Sequence, residues 1–343
     1  MRRHVRWVVA AVGLSVALVA CSSSGASSSS SGGGSGAGAG AGGNIDLVAY
    51  STPQQAYKAL EAAFEKTDAG KGVSFTESYG ASGDQSRAVV AGQAADYVAF
   101  SLSPDVDRLV KANLVAPDWN GDQYKGNVTD SVVVIVTRKG NPKGIKTWDD
   151  LVKPGTEVIT PNPFTSGGAR WNVMAAYGAQ LEQGKTEDQA NQYLKDLFKN
   201  VVVQDDSARK ALQTFTGGKG DAMLAYENEA IFAQQQGEDI DYVVPDQTIL
   251  IENPAAVTTN AKNPTAAKAF KAFLLTDAAQ KIFADNGYRP VVSGVSDGTF
   301  PTPPHLFTID KLGGWPTVNT KFFDPKSGVM AAVEQGIGVS VGG

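Results

Sequence analysis

Between residues 44 and 286 short apolar runs alternate with stretches whose apolar positions recur every three or four residues. The runs predict strands at 44–50, 73–77, 97–101, 131–138, 157–160, 201–204, 222–225, 241–245 and 248–252. The helical spacing falls at 54–66, 85–94, 105–112, 148–152, from 169, from 187, and at 208–216, 228–235, 264–275 and 277–286. Strand followed by helix, repeated, is the pattern of a parallel sheet covered by helices. Two α/β units are the economical interpretation, followed by a Gly- and Pro-rich tail. The run SVVVIVTR at 131–138 is an emphatic β-branched strand signal.

The first 43 residues follow a different rule. Arg2, Arg3 and Arg6 precede an apolar stretch from Trp7 to Ala20 that is short for a bilayer span and ends in small residues, the layout of a secretory signal. Leu18-Val19-Ala20-Cys21 resembles the lipobox of bacterial lipoproteins, which implies that residues 1–20 are removed and that Cys21 carries lipid. Cys21 is the single cysteine, so no disulfide framework is available. From Ser22 to Gly43 the chain holds only Ser, Gly and Ala, with nothing to bury, and residues 21–44 read as a tether spanning about 25 Å. Without the three arginines, 27 cationic residues face 35 acidic ones, a formal charge of −8. With no basic stripe, nucleic acid is excluded as a partner, since phosphate-backbone affinity rests on clustered Lys and Arg.

Candidate chemistry lies where strands give way to helices. The four junctions Tyr50-Ser51-Thr52-Pro53, Gly80-Ala81-Ser82-Gly83, Ser166-Gly167-Gly168-Ala169 and Asp206-Ser207-Ala208 all present short, small residues. A helix start carries unpaired N–H groups and about half a positive charge, so each junction is a potential anion seat. Caps and turn glycines also occur in ordinary α/β domains. Four such junctions in two units point to a shared anionic ligand.

The blocks NPFTSGGARWN, SYGASGDQSRAVVAG, GDAMLAYENEA, NGYRP and LFTIDKLGGW resemble, in order and spacing, the periplasmic sulfate-binding proteins, from about Ile45 to Trp315. The resemblance implies an α/β, two-lobed periplasmic-binding-protein fold of type II, each lobe a mixed sheet flanked by helices, with the ligand in the interlobe cleft. It implies lobe 1 from residues 45–125 with 250–343, lobe 2 from 126–249, and hinges near 126–130 and 245–250. Sulfate contacts carried across fall on the N–H groups of Ser51, Ser82, Gly167, Gly168 and Ala208, the Ser82 hydroxyl and the Tyr226 side chain. Arg170 and Arg209 are implied to brace the peptides behind the ligand; read as residues alone, they equally suit a solvated helix face. The implied role is capture of sulfate for the permease and ATPase subunits of an ABC importer, by a monomer held at the outer face of the membrane through its lipid, with no cofactor and no metal.

Three positions depart from the family pattern: Ser51 for aspartate, Phe164 for lysine, and Tyr226 for a tryptophan whose indole only donates. A phenol donates and accepts, which leaves room for thiosulfate or a protonated oxyanion. Molybdate and tungstate remain alternatives. An exported hydrolase is the other class, with Ser82 or Ser166 as nucleophile, yet the exported body has one histidine, His305, in a Pro-flanked tail, and no HExxH zinc motif. The acid pairs Asp149-Asp150 and Asp205-Asp206 read as helix caps and first-turn charges.

Overall fold

The computed structural model describes residues 42–296, 298–339 and 341, so the signal and Cys21 lie outside the described residues. Ten strands run as β1 (Gly43–Tyr50), β2 (Val73–Gly80), β3 (Tyr97–Ala99), β4 (Asn127–Arg138), β5 (Val158–Ile159), β6 (Val201–Val203), β7 (Ala222–Tyr226), β8 (Ile240–Val243), β9 (Gln247–Val257) and β10 (His305–Phe307). The first six helices are α1 (Gln54–Phe64), α2 (Ser82–Val90), α3 (Ser103–Lys111), α4 (Gly167–Glu182), α5 (Glu187–Lys199) and α6 (Ala208–Thr216). They are followed by α7 (Glu227–Gln235), α8 (Pro264–Leu274), α9 (Asp277–Asp285), α10 (Gly314–Phe322) and α11 (Val329–Gly336).

The strands form one hydrogen-bonded path, β2-β1-β3-β9-β4-β7-β5-β6, with β8 also beside β4 and β10 beside β9. Both ends are parallel: β1 with β2 and β3, and β5 with β6 and β7. The middle is antiparallel and continuous, and joins the two α/β units read from the sequence. β9 pairs β3 through Ala255–Val257 and β4 through Leu250–Pro254. From Ile135 onward β8 takes its place beside β4. Two long strands therefore tie the halves together.

The alternation inside each run explains the layering. Val132, Val134 and Val136 enter one core with Leu212, Phe215 and Met223, while Val133 and Ile135 enter another with Trp148, Trp171 and Leu194. In the first half Leu47 and Ala49 pack under Tyr57, Phe64 and Phe270, and Val48 packs on the opposite face with Val98, Phe100 and Trp119. The period of two sends neighbours to opposite faces, and helices cover both.

The segment after β10 is not a loose tail. Gly313 and Gly314 adopt φ of 94° and 74°, which ends the short turn at Ile309–Leu312 and starts α10. Phe307, Ile309, Trp315, Phe322 and Val333 then join the core of Trp148, Trp171 and Leu194. Trp315 meets Trp171 edge to face at 4.7 Å. The residues from His305 on thus pack on helix α4 of the half to which the sequence assigned 126–249, while α10 also meets α3 of the first half.

Two expected outcomes follow from this packing. A methyl at Gly178 in α4 would lie 2.3 Å from the Phe307 ring. Gly178→Ala, although favoured by helix propensity by about 1 kcal/mol, should lower the melting temperature, because overpacking costs about 1–3 kcal/mol. Adding Phe307→Leu should recover part of the loss, whereas an unchanged Tm in the single variant would mean that the C-terminal segment does not sit on α4.

Asp130 and Glu252 face each other across β4 and β9. Burial first, then the Glu252 carboxylate, push Asp130 up to about 7 against the opposing pull of Arg289. Its unfolded value is about 3.9, so the native state holds this proton more tightly, and stability falls as pH rises from about 4 to about 7. The Tm difference between Asp130→Asn and the parent should grow in the variant's favour from pH 4.5 to 8. A difference that stays flat would contradict the assigned environment.

Candidate functional site

The four junctions singled out in the sequence come together at the C-terminal ends of β1, β2, β5 and β6. Register places Tyr50 beside Gly80, so Ser51 and Ala81 leave the sheet side by side. At the start of α2 the N–H of Gly83 donates to the carbonyl of Thr165, 3.2 Å away, just before α4. A side chain at Gly83 would stand 2.8 Å from that carbonyl, so glycine permits the approach. The ring closes on the far side: the Arg209 N–H donates to Ser51 Oγ at 3.3 Å, and a Cβ on Gly168 would lie 3.4 Å from Ala208 Cβ and 3.5 Å from Tyr226 Cε1. Ser51, Ser82, Gly167, Gly168, Ala208 and Tyr226 therefore form one neighbourhood.

Its donors are mostly backbone. Among the described residues, the N–H groups of Ser51, Ser82, Gly167, Gly168 and Ala208 have no acceptor in the chain. Pairing is nearly universal for buried backbone groups, so five such donors in one place, all but Ser51 in the first turn of a helix, mark a seat for negative charge. Gly167 has a second reason to be glycine: its Cβ would fall 2.7 Å from Ser101 Cβ and 2.8 Å from Leu102 Cδ2. Helix α4 is fitted against the strand end of β3.

Two side chains behave differently from the sequence expectation. The Ser82 hydroxyl donates to Asp105 Oδ2 at 2.6 Å and accepts from the Ser101 N–H at 3.0 Å. Its only hydrogen is committed to a carboxylate, so it is not a donor to the seat, as the resemblance had implied. Ser166 lies closer to hand: its Oγ accepts from the Ala169 N–H at 3.3 Å, and the residue is 3 % exposed, with Oγ 3.5 Å from where a Cβ on Gly168 would stand. From the sequence Ser166 reads as part of a helix-start junction and, alternatively, as a nucleophile, with its hydroxyl not named as a ligand contact. An N-cap serine at a helix start was the available signal.

The arginines hold backbone. Arg170 donates from Nε to the Pro163 carbonyl at 2.9 Å and from Nη1 to Asn319, with its guanidinium over Phe323. Arg209 donates to the Thr52 carbonyl at 2.8 Å and forms a two-pronged pair with buried Glu229. Arg209 and Arg170 thus fix the peptides before α1 and α4 while their charge is spent elsewhere. Arg289 is paired with Glu227 in the same way, and Arg87 with Asp84 on an exposed face. Outside the seat a cleft of about 490 Å³ opens between Ala81 and Asp84 on one side and Ser207 and Lys210 on the other.

Sequence reasoning passed over Ser101 and Asp105. Ser101 Oγ stands 2.5 Å from the Tyr226 hydroxyl, and its carbonyl accepts from Trp171 Nε1 at 2.7 Å. Its position after β3, at the same sheet edge as the other junctions, was the signal. Burial drives the Tyr226 phenol well above its ordinary pKa, so it stays protonated. Among the described residues no group of three or more His, Cys, Asp or Glu is placed to hold a metal, and no helix is long and apolar enough to cross a membrane.

Residues 45–289 match the family described as bacterial extracellular solute-binding protein. A sulfate-binding protein of Synechococcus elongatus is 44% identical over 81% of this chain and 83% of its own. A thiosulfate-binding protein of Pseudomonas aeruginosa is 34% identical over 81% and 88%. The solved structure of the sulfate-binding protein SubI from Mycobacterium tuberculosis H37Rv is 44% identical and has a TM-score of 0.80, covering 82% of this chain and 99% of that one. The fold is accordingly the two-lobed, type II periplasmic-binding-protein fold. The chain belongs to the bacterial extracellular solute-binding protein family, in the group that holds these sulfate- and thiosulfate-binding proteins.

Proposed function

We propose that the protein captures sulfate outside the cytoplasm and delivers it to the permease of an ABC importer. The observation that carries this reading is the meeting of unpaired N–H groups from the loop after β1 and the starts of α2, α4 and α6. A dianion stripped of water is held there by neutral donors. Hydrogen bonds to a charged group contribute about 1.5–3 kcal/mol each, and several replace a hydration shell. The identity to sulfate-binding relatives supports the choice of ion. Thiosulfate is the second reading, favoured by the phenol at Tyr226 and by the thiosulfate-binding relative.

The protein is a carrier and not an enzyme. Ser82 is bonded to a carboxylate, and the single histidine of the body, His305, is exposed on β10 beside Gln247. Among the described residues neither Ser82 nor Ser166 has a histidine or lysine as hydrogen-bond partner to complete a catalytic triad or dyad. One lobe comprises the sheet of β1–β3 with α1–α3, α8 and α9; the other comprises β5–β8 with α4–α7 and the segment from His305 on. β4 and β9 connect them and supply the hinges, so that closure brings both sets of donors around the ion. The body is monomeric and is tethered by lipid on Cys21; mass spectrometry of the mature N-terminal peptide should show acyl chains on Cys21, and an unmodified cysteine there would contradict lipid attachment.

Titration calorimetry with sulfate tests the seat. Ser166→Ala should weaken binding by about 1.5–3 kcal/mol, a factor of about 10 to 150. Gly168→Val should nearly abolish it, since the added methyl groups enter the space between Ala208, Ser166 and Tyr226. Ser82→Ala should act chiefly on thermal stability, because it strips a donor from buried Asp105. Undiminished sulfate binding by Gly168→Val would sink the assignment.

A further inference from the structure

We propose that Ser101 and Tyr226 act as one reversible hydroxyl pair in the ligand seat, which admits a tetrahedral oxyanion carrying a proton, with inorganic phosphate as the probe, as well as a fully deprotonated one. The proposal rests on the seat argued above and deepens it. Ser101 follows β3 and Tyr226 ends β7, so the pair joins the two halves. Both residues are 1 % exposed, and their oxygens are 2.5 Å apart. Both border the glycines of α4: a Cβ on Gly167 would lie 2.9 Å from Ser101 Oγ, and one on Gly168 3.5 Å from Tyr226 Cε1.

The two hydroxyls own two hydrogens and share one between them. When Ser101 donates to the phenol, the phenol hydrogen is left for a ligand oxygen, which suits sulfate. When the phenol donates to Ser101, the phenol oxygen accepts a ligand O–H, and the Ser101 hydrogen serves a second ligand oxygen. In both arrangements each hydrogen of the pair has an acceptor, and only O–H rotations separate them. The Ser101 backbone stays fixed throughout, because Trp171 Nε1 and Asn253 Nδ2 both donate to its carbonyl, at 2.7 and 3.3 Å. Burial keeps the phenol neutral, so the pair never presents a charge to an anion. An indole at residue 226 would offer one fixed donor and leave the proton of the ligand unpaired, which costs about 1–3 kcal/mol.

The test is titration calorimetry of the purified protein at pH 8 with sulfate and, separately, with inorganic phosphate. Phosphate should bind the parent measurably. Tyr226→Trp removes the acceptor, and Ser101→Ala removes the place where the phenol hydrogen is parked. Each should raise the ratio of sulfate to phosphate affinity by about tenfold or more. A parent that takes sulfate but gives no phosphate heat overturns the proposal while leaving the sulfate site standing. So does an unmoved ratio in either variant when its Tm matches that of the parent. If sulfate also fails to bind, the seat itself is wrong and this inference falls with it.

Discussion

Backbone N–H groups can hold an ion only where the chain has no other use for them, and that constraint organises this molecule. A helix must leave its first donors unpaired, and a parallel strand must end before its helix begins. The parallel strands at both ends of the sheet path direct their C-terminal ends to one place, so Ser51, Ser82, Gly167, Gly168 and Ala208 converge without any residue being recruited for its charge. The antiparallel strands β4 and β9 let two such edges oppose each other within one chain.

Convergence of this kind demands close backbone approach, and the glycines supply it. Gly83 accommodates the Thr165 carbonyl, and Gly167 accommodates Ser101 and Leu102, so α2, α4 and the end of β3 are fitted to one another around the seat. Arg170 and Arg209 extend the same logic one layer out, since each donates to the carbonyl of a loop that carries a donor. In the proposed mechanism, rigidity in that layer lets neutral donors suffice. Dipoles held in place need not reorganise when the ion arrives.

Much of this was legible in the sequence because it depends on local signals. SVVVIVTR announced a strand through its β-branched residues, and the small residues at the four junctions marked the helix starts; that the strand is buried on both faces came from the structure. Helix starts were read late where Ser, Gly and Asp open the first turn, as in α2, which begins at Ser82 rather than Gln85, because such residues interrupt the apolar period. The C-terminal helices were lost to Gly313, Gly314 and Pro316, which read as loop; in the fold Trp315 and Phe322 pack on Trp171 and Tyr177 of α4, a contact no local pattern shows. The roles of Ser82 and Ser101 depend on partners far along the chain, Asp105 and Tyr226, and no local pattern encodes them.

The excess of acid is compatible with anion capture because the carboxylates nearest the seat are already spent. Asp105 takes the Ser82 hydroxyl and Arg108, and Glu229 takes both prongs of Arg209. Each is a closed local pair, so its field at the seat is that of a dipole rather than a charge. Surface acids act through water and salt, which screen them over about 10 Å. Buried and paired, the acids instead do positional work: Asp105 orients Ser82 and thereby the turn that offers the Ser82 N–H, and Glu229 aims Arg209 at Thr52. On the proposed reading, negative residues in this protein hold the frame in which neutral groups would meet a negative ligand.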